Sequence, residues 1–410
     1  MIEFRDYQKN IISKGTDIIR KYGFVYLAME VRTGKTLTSL GICDQLNADN
    51  VLFLTKKKAM SSVIQDYDTL CPNFALYTIN YESIHKIPNI RWDVIICDEA
   101  HSMGAFPKPS KRARQVRDLI YKYNSKVILL SGTPTPESYS QIYHQVFAIP
   151  MNPFRRHKTF YRFANEWVNV RKKIIGGHHI NDYSGGKPEL LDAMKPYTIN
   201  YSQKEAGFKV DTREHILRCG MASSTYELAN KLKKDLVVEG KDEVILADTA
   251  VKLMSKLHQI YSGTVKFESG NSMVLDTSKA DFIKEKFEGK KIGLFYKFKE
   301  EYNALKKTYG DNLTESLEEF NDTNKNIALQ IVSGREGISL RNADALVYYN
   351  IDFSATSYWQ SRDRMTTKDR LKSDVYWIFS IGGIEDEIYK AVKRKKSYTT
   401  KHFKRDFLNL

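Results

Sequence analysis

Four short apolar runs, each ending in polar or charged residues, constrain this 410-residue chain more than any other feature. They are "FVYLAM" before "EVRTGKT", "NVLFLT" before "KKK", "DVIIC" before "DEAH", and "KVILL" before "SGTPT". Runs this continuous do not alternate apolar with polar, so they suit strands of a parallel sheet buried on both faces, with helices as crossovers. Ligand chemistry in such sheets gathers at the carboxyl ends of the strands, where these polar residues fall. Further along, "KKIGLFYKF", "IALQIVSGREGISL", "ADALVYYNIDF" and "DVYWIFSIGG" repeat the pattern, which predicts a second α/β lobe. A chain of this length fits two domains better than one core.

Residues 150 to 260 read differently. They hold the aromatic and basic "FRRHKTFYRFANEWVNVRKK", the turn-rich "GGHHINDYSGG" and a helical pattern from about Ser223. The expected organisation is an N-terminal lobe over 1–205 with a small insert at about 150–205. A C-terminal lobe follows over 206–410, with a helical bridge at about 220–265 and a basic tail. Apolar residues at 42% suffice for buried cores. No run reaches membrane-span length and "MIEFRDYQKN" lacks the pattern of a secretory leader, so a soluble, cytoplasmic protein is expected. Cys43, Cys71, Cys97 and Cys219 form no C-x-x-C pair and read as reduced, mostly buried thiols. The net charge of +15 makes a polyphosphate the first partner to consider, although a merely basic protein has the same balance.

Residues 29 to 36, "MEVRTGKT", end as a phosphate-binding loop does. Backbone N–H groups at a helix start cradle a phosphate, Lys35 adds charge, and Thr36 is suited to Mg²⁺. The outer glycine of such loops is replaced by Met29, and taken alone "TGKT" is equally a chance match. About sixty residues on, an apolar strand ends in Asp98 and Glu99. One carboxylate there can hold Mg²⁺ while its neighbour polarises water; two acids capping a turn is the structural alternative.

Together these elements resemble the superfamily-two helicases and translocases of the Asp-Glu-Ala-His type, along nearly the whole chain. The resemblance implies two RecA-like lobes, ATP and Mg²⁺ as cofactors, and catalytic roles for Lys35, Asp98, Glu99 and Arg364. "FRDYQ" resembles the base-recognising segment, placing Gln8 near adenine; Arg32, Thr33, Gly34, Lys35 and Thr36 would line the phosphates, with Thr36 and Asp98 on the metal. "SGTPT" resembles the motif linking nucleotide state to nucleic-acid grip, through Ser131, Thr133 and Pro134, with His101 as a coupling residue. "SGREGISL" resembles the fifth motif, bringing Gly337 to the nucleotide and Ser333 and Ser339 to the strand. "YWQSRDRMTTKDR" resembles the sixth, with Gln360 in coupling and Arg364 in the Gln-x-x-x-Arg pattern. The usual second arginine is Thr367 here, so the finger role falls to Arg364, with Arg370 as the alternative; either residue has a surface ion pair as its plain reading.

Within the superfamily the chain most resembles the Swi/Snf-like branch. "EAHSMGAFPKPSKRARQV" is similar to its acidic motif and basic follow-on, and "LHQIYSGTV" to its Leu-Arg-Gln-Ile signature with His258 in place of Arg. "IEDEIYKAVKRKK" is similar to its closing helix, and Phe160 to Pro196 loosely to the insert of fork-remodelling members. Such relatives also lack the outer glycine at Met29 but usually carry Gly where this chain has Arg32.

At the second strand end, Thr55, Lys56, Lys57 and Lys58 resemble the segment that touches the tracking strand, as do Tyr81 in "NYES" and, more weakly, Lys111, Arg112 and Arg114. A solvated charge run is the bland reading of the lysines. Lys393, Arg394, Lys395 and Lys396 fit either duplex DNA or a helix C-terminus. His157, His178 and His179 lack metal-ligand spacing, and Tyr161, Phe163 and Trp167 read as core. The resemblance implies a monomeric, phage-like DNA motor that works on duplex or branched DNA, by fork or junction remodelling or branch migration. A single-stranded DNA or RNA helicase and a nucleotide-regulated DNA-binding scaffold are the competing readings.

Overall fold

The computed structural model describes residues 3–175, 178–207, 211–240, 242–334, 340–354, 357–358, 361 and 372–394. The chain divides into two compact units, 1–208 and 209–410. In the first, the order is α1 (Asp6–Tyr22), β1 (Phe24–Met29), α2 (Lys35–Gln45), β2 (Asn50–Thr55), α3 (Met60–Leu70), β3 (Ala75–Asn80) and β4 (Val94–Cys97). Then come α4 (Lys111–Tyr123), β5 (Lys126–Leu130), α5 (Ile142–Val146), α6 (Phe160–Trp167), β6 (Arg171–Ile175), β7 (His178–Asp182), α7 (Glu189–Met194) and β8 (Thr198–Tyr201).

Six of these strands form one sheet in the order β3-β2-β4-β5-β1-β8, every neighbouring pair parallel. The reason for the unbroken apolar runs is visible in their packing. Val25, Leu27 and Met29 face one core with Val51, Phe53, Val94, Ile96, Ile128 and Leu130. Their alternates Phe24, Tyr26, Leu52, Leu54, Ile95, Cys97, Val127 and Leu129 face the other. A strand covered on both faces has no water-facing positions to make polar. α1, α2 and α3 supply the first core, and α4, α5 and α6 the second.

The second unit repeats the scheme. Its strands are β9 (Asp211–Cys219), the short hairpins β10 (Val237–Glu239) with β11 (Val244–Leu246) and β12 (Thr264–Lys266) with β13 (Ser272–Val274), β14 (Ile292–Tyr296), β15 (Leu313–Thr314), β16 (Asn326–Gln330), β17 (Ala345–Tyr348) and β18 (Lys372–Ser380). The sheet order is β15-β16-β14-β17-β18-β9, again parallel throughout. Each unit is thus a RecA-like α/β lobe.

Two edge strands are weakly signalled by pattern. β8, inside the segment expected as an insert, pairs with β1 from Tyr26↔Thr198 to Met29↔Tyr201. β9 pairs with β18 over nine residues despite its polar sequence "DTREHILRC". An edge strand is held by ladder hydrogen bonds from one side and needs little apolar surface. The helical stretch expected as a bridge packs onto the second sheet: Leu253, Leu257 and Ile260 share a core with Phe295, Leu346 and Trp377.

Candidate functional site

The first sheet ends, at the carboxyl side of β1, in a loop built for tight backbone curvature. Arg32 has φ 63° and Gly34 φ 79°, both left-handed. That conformation is open to glycine and costs another residue about 1 kcal/mol or more. This is the physical reason a glycine suits position 32 and marks Arg32 as a deliberate exception. Gly34 caps α2, and a Cβ there would lie 2.6 Å from Gln8 Nε2. Gln8 is buried against the loop, its Oε1 accepting from Arg5 N at 3.1 Å.

The loop is braced from both sides. Tyr7 donates its hydroxyl to Thr33 O at 3.0 Å and stacks on Tyr201 at 4.6 Å. Gln203 N donates to Glu30 Oε2 at 2.7 Å, and Gln203 Nε2 to Val31 O at 3.0 Å. Thr33 is buried and its hydroxyl donates to Glu30 O at 2.7 Å. Tyr7 lies within the quoted "FRDYQ", but Tyr201 and Gln203 are about 170 residues beyond the loop, and no motif flags them. Lys35 Nζ donates to Met29 O at 2.9 Å and Glu30 O at 3.0 Å. Its charge is felt by both Asp98 and Glu99. Thr36 is half-buried in the first turn of α2.

At the end of β4, Asp98 and Glu99 occupy different environments. Asp98 Oδ2 accepts from Thr55 Oγ1 at 2.7 Å, and Oδ1 from Glu99 N at 3.0 Å. Burial, then the adjacent Glu99 charge, raise its pKa to about 6. Glu99 has a left-handed φ of 49°. Burial pushes its carboxyl up, but contact with His101 and the charges of His101, Lys35 and Lys56 outweigh this and bring it to about 2. Glu99 Oε2 lies 3.2 Å from His101 Nδ1 and is buried with no hydrogen-bond partner among the described residues.

His101 Nδ1 is also 2.9 Å from Ser131 Oγ, which accepts from Thr133 N at 3.1 Å. Gln145 fixes the following turn, donating to Pro134 O at 2.9 Å while accepting from Tyr26 OH at 2.7 Å. Of the residues expected to couple nucleotide to nucleic acid, His101 touches the Glu99 carboxylate directly, and Ser131 reaches it through His101.

Three side chains expected on the nucleic-acid track point inward. Tyr81 is 1% exposed and donates to Asp98 O at 2.6 Å. Thr55 is buried on Asp98, and Ser131 is buried on His101. Arg112 packs over the Tyr81 ring at 5.3 Å and bonds Glu82. Lys57 and Lys58 are exposed in a 3₁₀ turn after β2, whereas Lys56 is half-buried beside Glu99. Lys111 and Arg114 are exposed on α4.

Gly337, Ser339, Gln360, Arg364, Thr367 and Arg370 lie outside the described residues, as do Lys395 and Lys396; Ser333 belongs to a short helix, Ile331–Gly334. Lys393 Nζ is 3.3 Å from Tyr389 OH at the end of the helix Glu385–Lys393. Cys43, Cys97 and Cys219 are buried, but Cys71 is exposed. Of the aromatic trio, Phe163 is core, Trp167 packs against it in part, and Tyr161 is 49% exposed, so only two of the three fill the interior. His157 faces Glu166 at 3.2 Å and Trp167 Nε1 at 3.3 Å.

The carboxyl edge of the second sheet holds a buried polar network that sequence reading missed apart from His258. His258 Nε2 is 2.5 Å from Asn350 Oδ1, and Asn350 Nδ2 donates to Glu301 Oε1 at 2.5 Å. Asn350 Oδ1 also accepts from Ile351 N, so His258 donates from Nε2. Its pKa is held well below the ordinary value by burial and the Lys297 charge. Lys297 itself pairs with Asp352 at 2.9 Å. His258 and Asn350 are 92 residues apart, and Asn350 and Glu301 are 49 apart, so there is no local signal to read.

A family model described as the SNF2-related domain matches residues 27–269, more than half of the chain. Among solved structures, the Sulfolobus solfataricus SWI2/SNF2 ATPase core in complex with dsDNA is 15% identical, with a TM-score of 0.42, covering 96% of this chain and 91% of that one. The SWI2/SNF2 ATPase core domain of the same organism is 16% identical, with a TM-score of 0.43, covering 96% and 89%. A search of curated protein sequences found no match. Among the described residues no helix is long and apolar enough to cross a membrane.

Proposed function

The chain belongs to the SNF2-related domain family, and from that premise we propose that it is an ATP-driven motor that tracks duplex DNA and remodels forks or four-way junctions, in replication, recombination or repair. The observation that carries this reading is the convergence of Lys35, Asp98 and Glu99 on one sheet edge, with His101 bridging Glu99 and Ser131.

Lys35 rests on two neutral carbonyls. A triphosphate offers it charged oxygens, and charge-assisted bonds are roughly twice as strong as neutral ones. Left-handed backbone at Arg32 and Gly34 is the kind of local curvature with which loops gather N–H groups on an anion. The site suits Mg²⁺ in its donor chemistry, a hydroxyl and a carboxylate with a further buried carboxylate oxygen left unbonded. Thr36 and Asp98 would hold the ion, which when bound would offset phosphate charge. Glu99, ionised at neutral pH with a pKa of about 2, is a weak base, so its part is to orient the attacking water more than to keep its proton. Arg364, or Arg370 in its stead, supplies the second cation toward the γ-phosphate in this reading. Loss of that phosphate changes the charge beside Glu99, and His101 passes the change to the Ser131 loop.

The test is ATP hydrolysis at low salt with duplex, forked, four-way, single-stranded DNA and RNA. Duplex or branched DNA is expected to stimulate most. Stimulation confined to RNA or single strands would move the chain to the helicase reading. Unchanged behaviour of Glu99→Gln in every assay would move it to the scaffold.

A further inference from the structure

The hairpin β6–β7 pairs with no other described strand. An antiparallel pair alone is marginal in water, so its base must be held. It is held tightly. Val168 bridges Gly186, Asn169 N donates to Gly185 O at 2.8 Å, and Lys187 N donates to Trp167 O at 2.9 Å. Ser138 Oγ donates to Ser184 O at 2.9 Å and Ser140 Oγ to Tyr183 O at 2.6 Å. A Cβ on Gly186 would lie 2.5 Å from Ser140 N, so the two backbones touch. Ser138 and Ser140 follow Pro134 within one turn-rich stretch, which Gln145 fixes.

What this anchored element displays is positive charge. Residues 151–187 contain eight Lys and Arg against two Asp and Glu, and so six of the chain's fifteen net positive charges. Both acids are engaged: Glu166 with Arg156 and His157, and Asp182 with Ser184 N. Lys158, Arg162 and Lys172 are exposed and have no ion-pair partner among the described residues. On the same helix and hairpin Tyr161, Val170 and Ile180 are 49%, 41% and 46% exposed. A solvated surface mixes charges of both signs; cations interspersed with bare apolar groups match phosphates flanking sugars and bases. A two-stranded ribbon also fits the duplex major groove.

We propose that hairpin β6–β7, with α6 beside it, is a second DNA-contacting surface, taking the phosphate backbone of duplex DNA on Lys158, Arg162 and Lys172. Its anchorage on Ser138 and Ser140 makes it continuous with the loop that His101 senses. The inference rests on the DNA-motor reading above.

The test compares duplex DNA binding by the full chain and by Arg162→Glu/Lys172→Glu across a salt series. The variant is expected to bind at least about tenfold more weakly, with a salt slope shallower by about 0.9 for each phosphate no longer neutralised. If reversal lowers the unfolding temperature, the neutral pair Arg162→Gln/Lys172→Gln decides by the same slope. Identical affinity and slope would overturn this surface while leaving the motor reading standing. Failure of the unaltered chain to bind duplex DNA would overturn both.

Discussion

His101 Nδ1 lies 2.9 Å from Ser131 Oγ, joining the residue two beyond Glu99 to the first residue after β5. Both side chains are largely buried, so the contact is made in a low-dielectric setting where hydrogen bonds polarise one another. Ser131→Ala removes the hydroxyl and leaves the His101 ring in place. The ratio of DNA-stimulated to DNA-free hydrolysis should fall about tenfold, with the KM for ATP within about twofold. An unchanged ratio would remove this contact from the coupling path.

Lys35→Ala and Glu99→Gln should each lower kcat by at least about a hundredfold, the scale seen when one preorganised electrostatic group is lost. The hydrogen bonds of Lys35 to Met29 O and Glu30 O are made at the loop surface, so Lys35→Ala should shift stability by no more than about 1 kcal/mol. Steady-state hydrolysis beside a thermal melt separates loss of chemistry from loss of fold.

Tyr81→Phe tests whether the buried ring serves the carboxylate. Removing the hydroxyl leaves Asp98 O without its donor, at a cost of about 1–2 kcal/mol. Hydrolysis should slow several-fold with DNA affinity intact. Weakened DNA binding at unchanged turnover would return Tyr81 to the nucleic-acid track.

Arg32→Gly exchanges backbone strain of about 1 kcal/mol for a similar loss of chain entropy on folding, so stability should change little. The KM for ATP should rise several-fold if the guanidinium serves the phosphates. A fall in DNA affinity at constant KM would assign Arg32 to DNA instead.

Two histidines buried in the neutral state set an acid limit. Burial lowers His144 to about 4 despite its bond to Ala105 O, and holds His258 well below its ordinary value. The unfolded chain binds these protons near pH 6.5 and the folded chain does not. Their contribution is therefore complete above about pH 6.5 and declines as pH falls toward the folded values. His144 alone accounts for a loss of order 3 kcal/mol by about pH 4. Melting temperatures from pH 7.5 to 4.5 should fall, and His144→Gln should flatten part of the slope.

The two sheets were legible because burial on both faces forces continuous apolar runs, and the polar residues closing each run fall at the edge where ligands bind. Lys35, Asp98 and Glu99 were legible for the same reason: their chemistry is written in consecutive residues at strand ends. Orientation was not. Tyr81, Thr55 and Ser131 belong to segments that suggest strand contact, yet the packing between β2, β4 and β5 turns them inward onto Asp98 and His101. Edge strands β8 and β9 escape pattern because one-sided pairing demands little apolar surface.

The α/β class, the phosphate loop and the paired carboxylates are readable in the chain alone, since each rests on neighbouring residues and a local period. It takes the folded chain to put Arg32 in a glycine conformation, to drive Glu99 and Asp98 to opposite ends of the carboxylate range, and to bring His258 to Asn350. Those outcomes depend on burial and on partners up to some ninety residues away, and neither is encoded in any window of the chain.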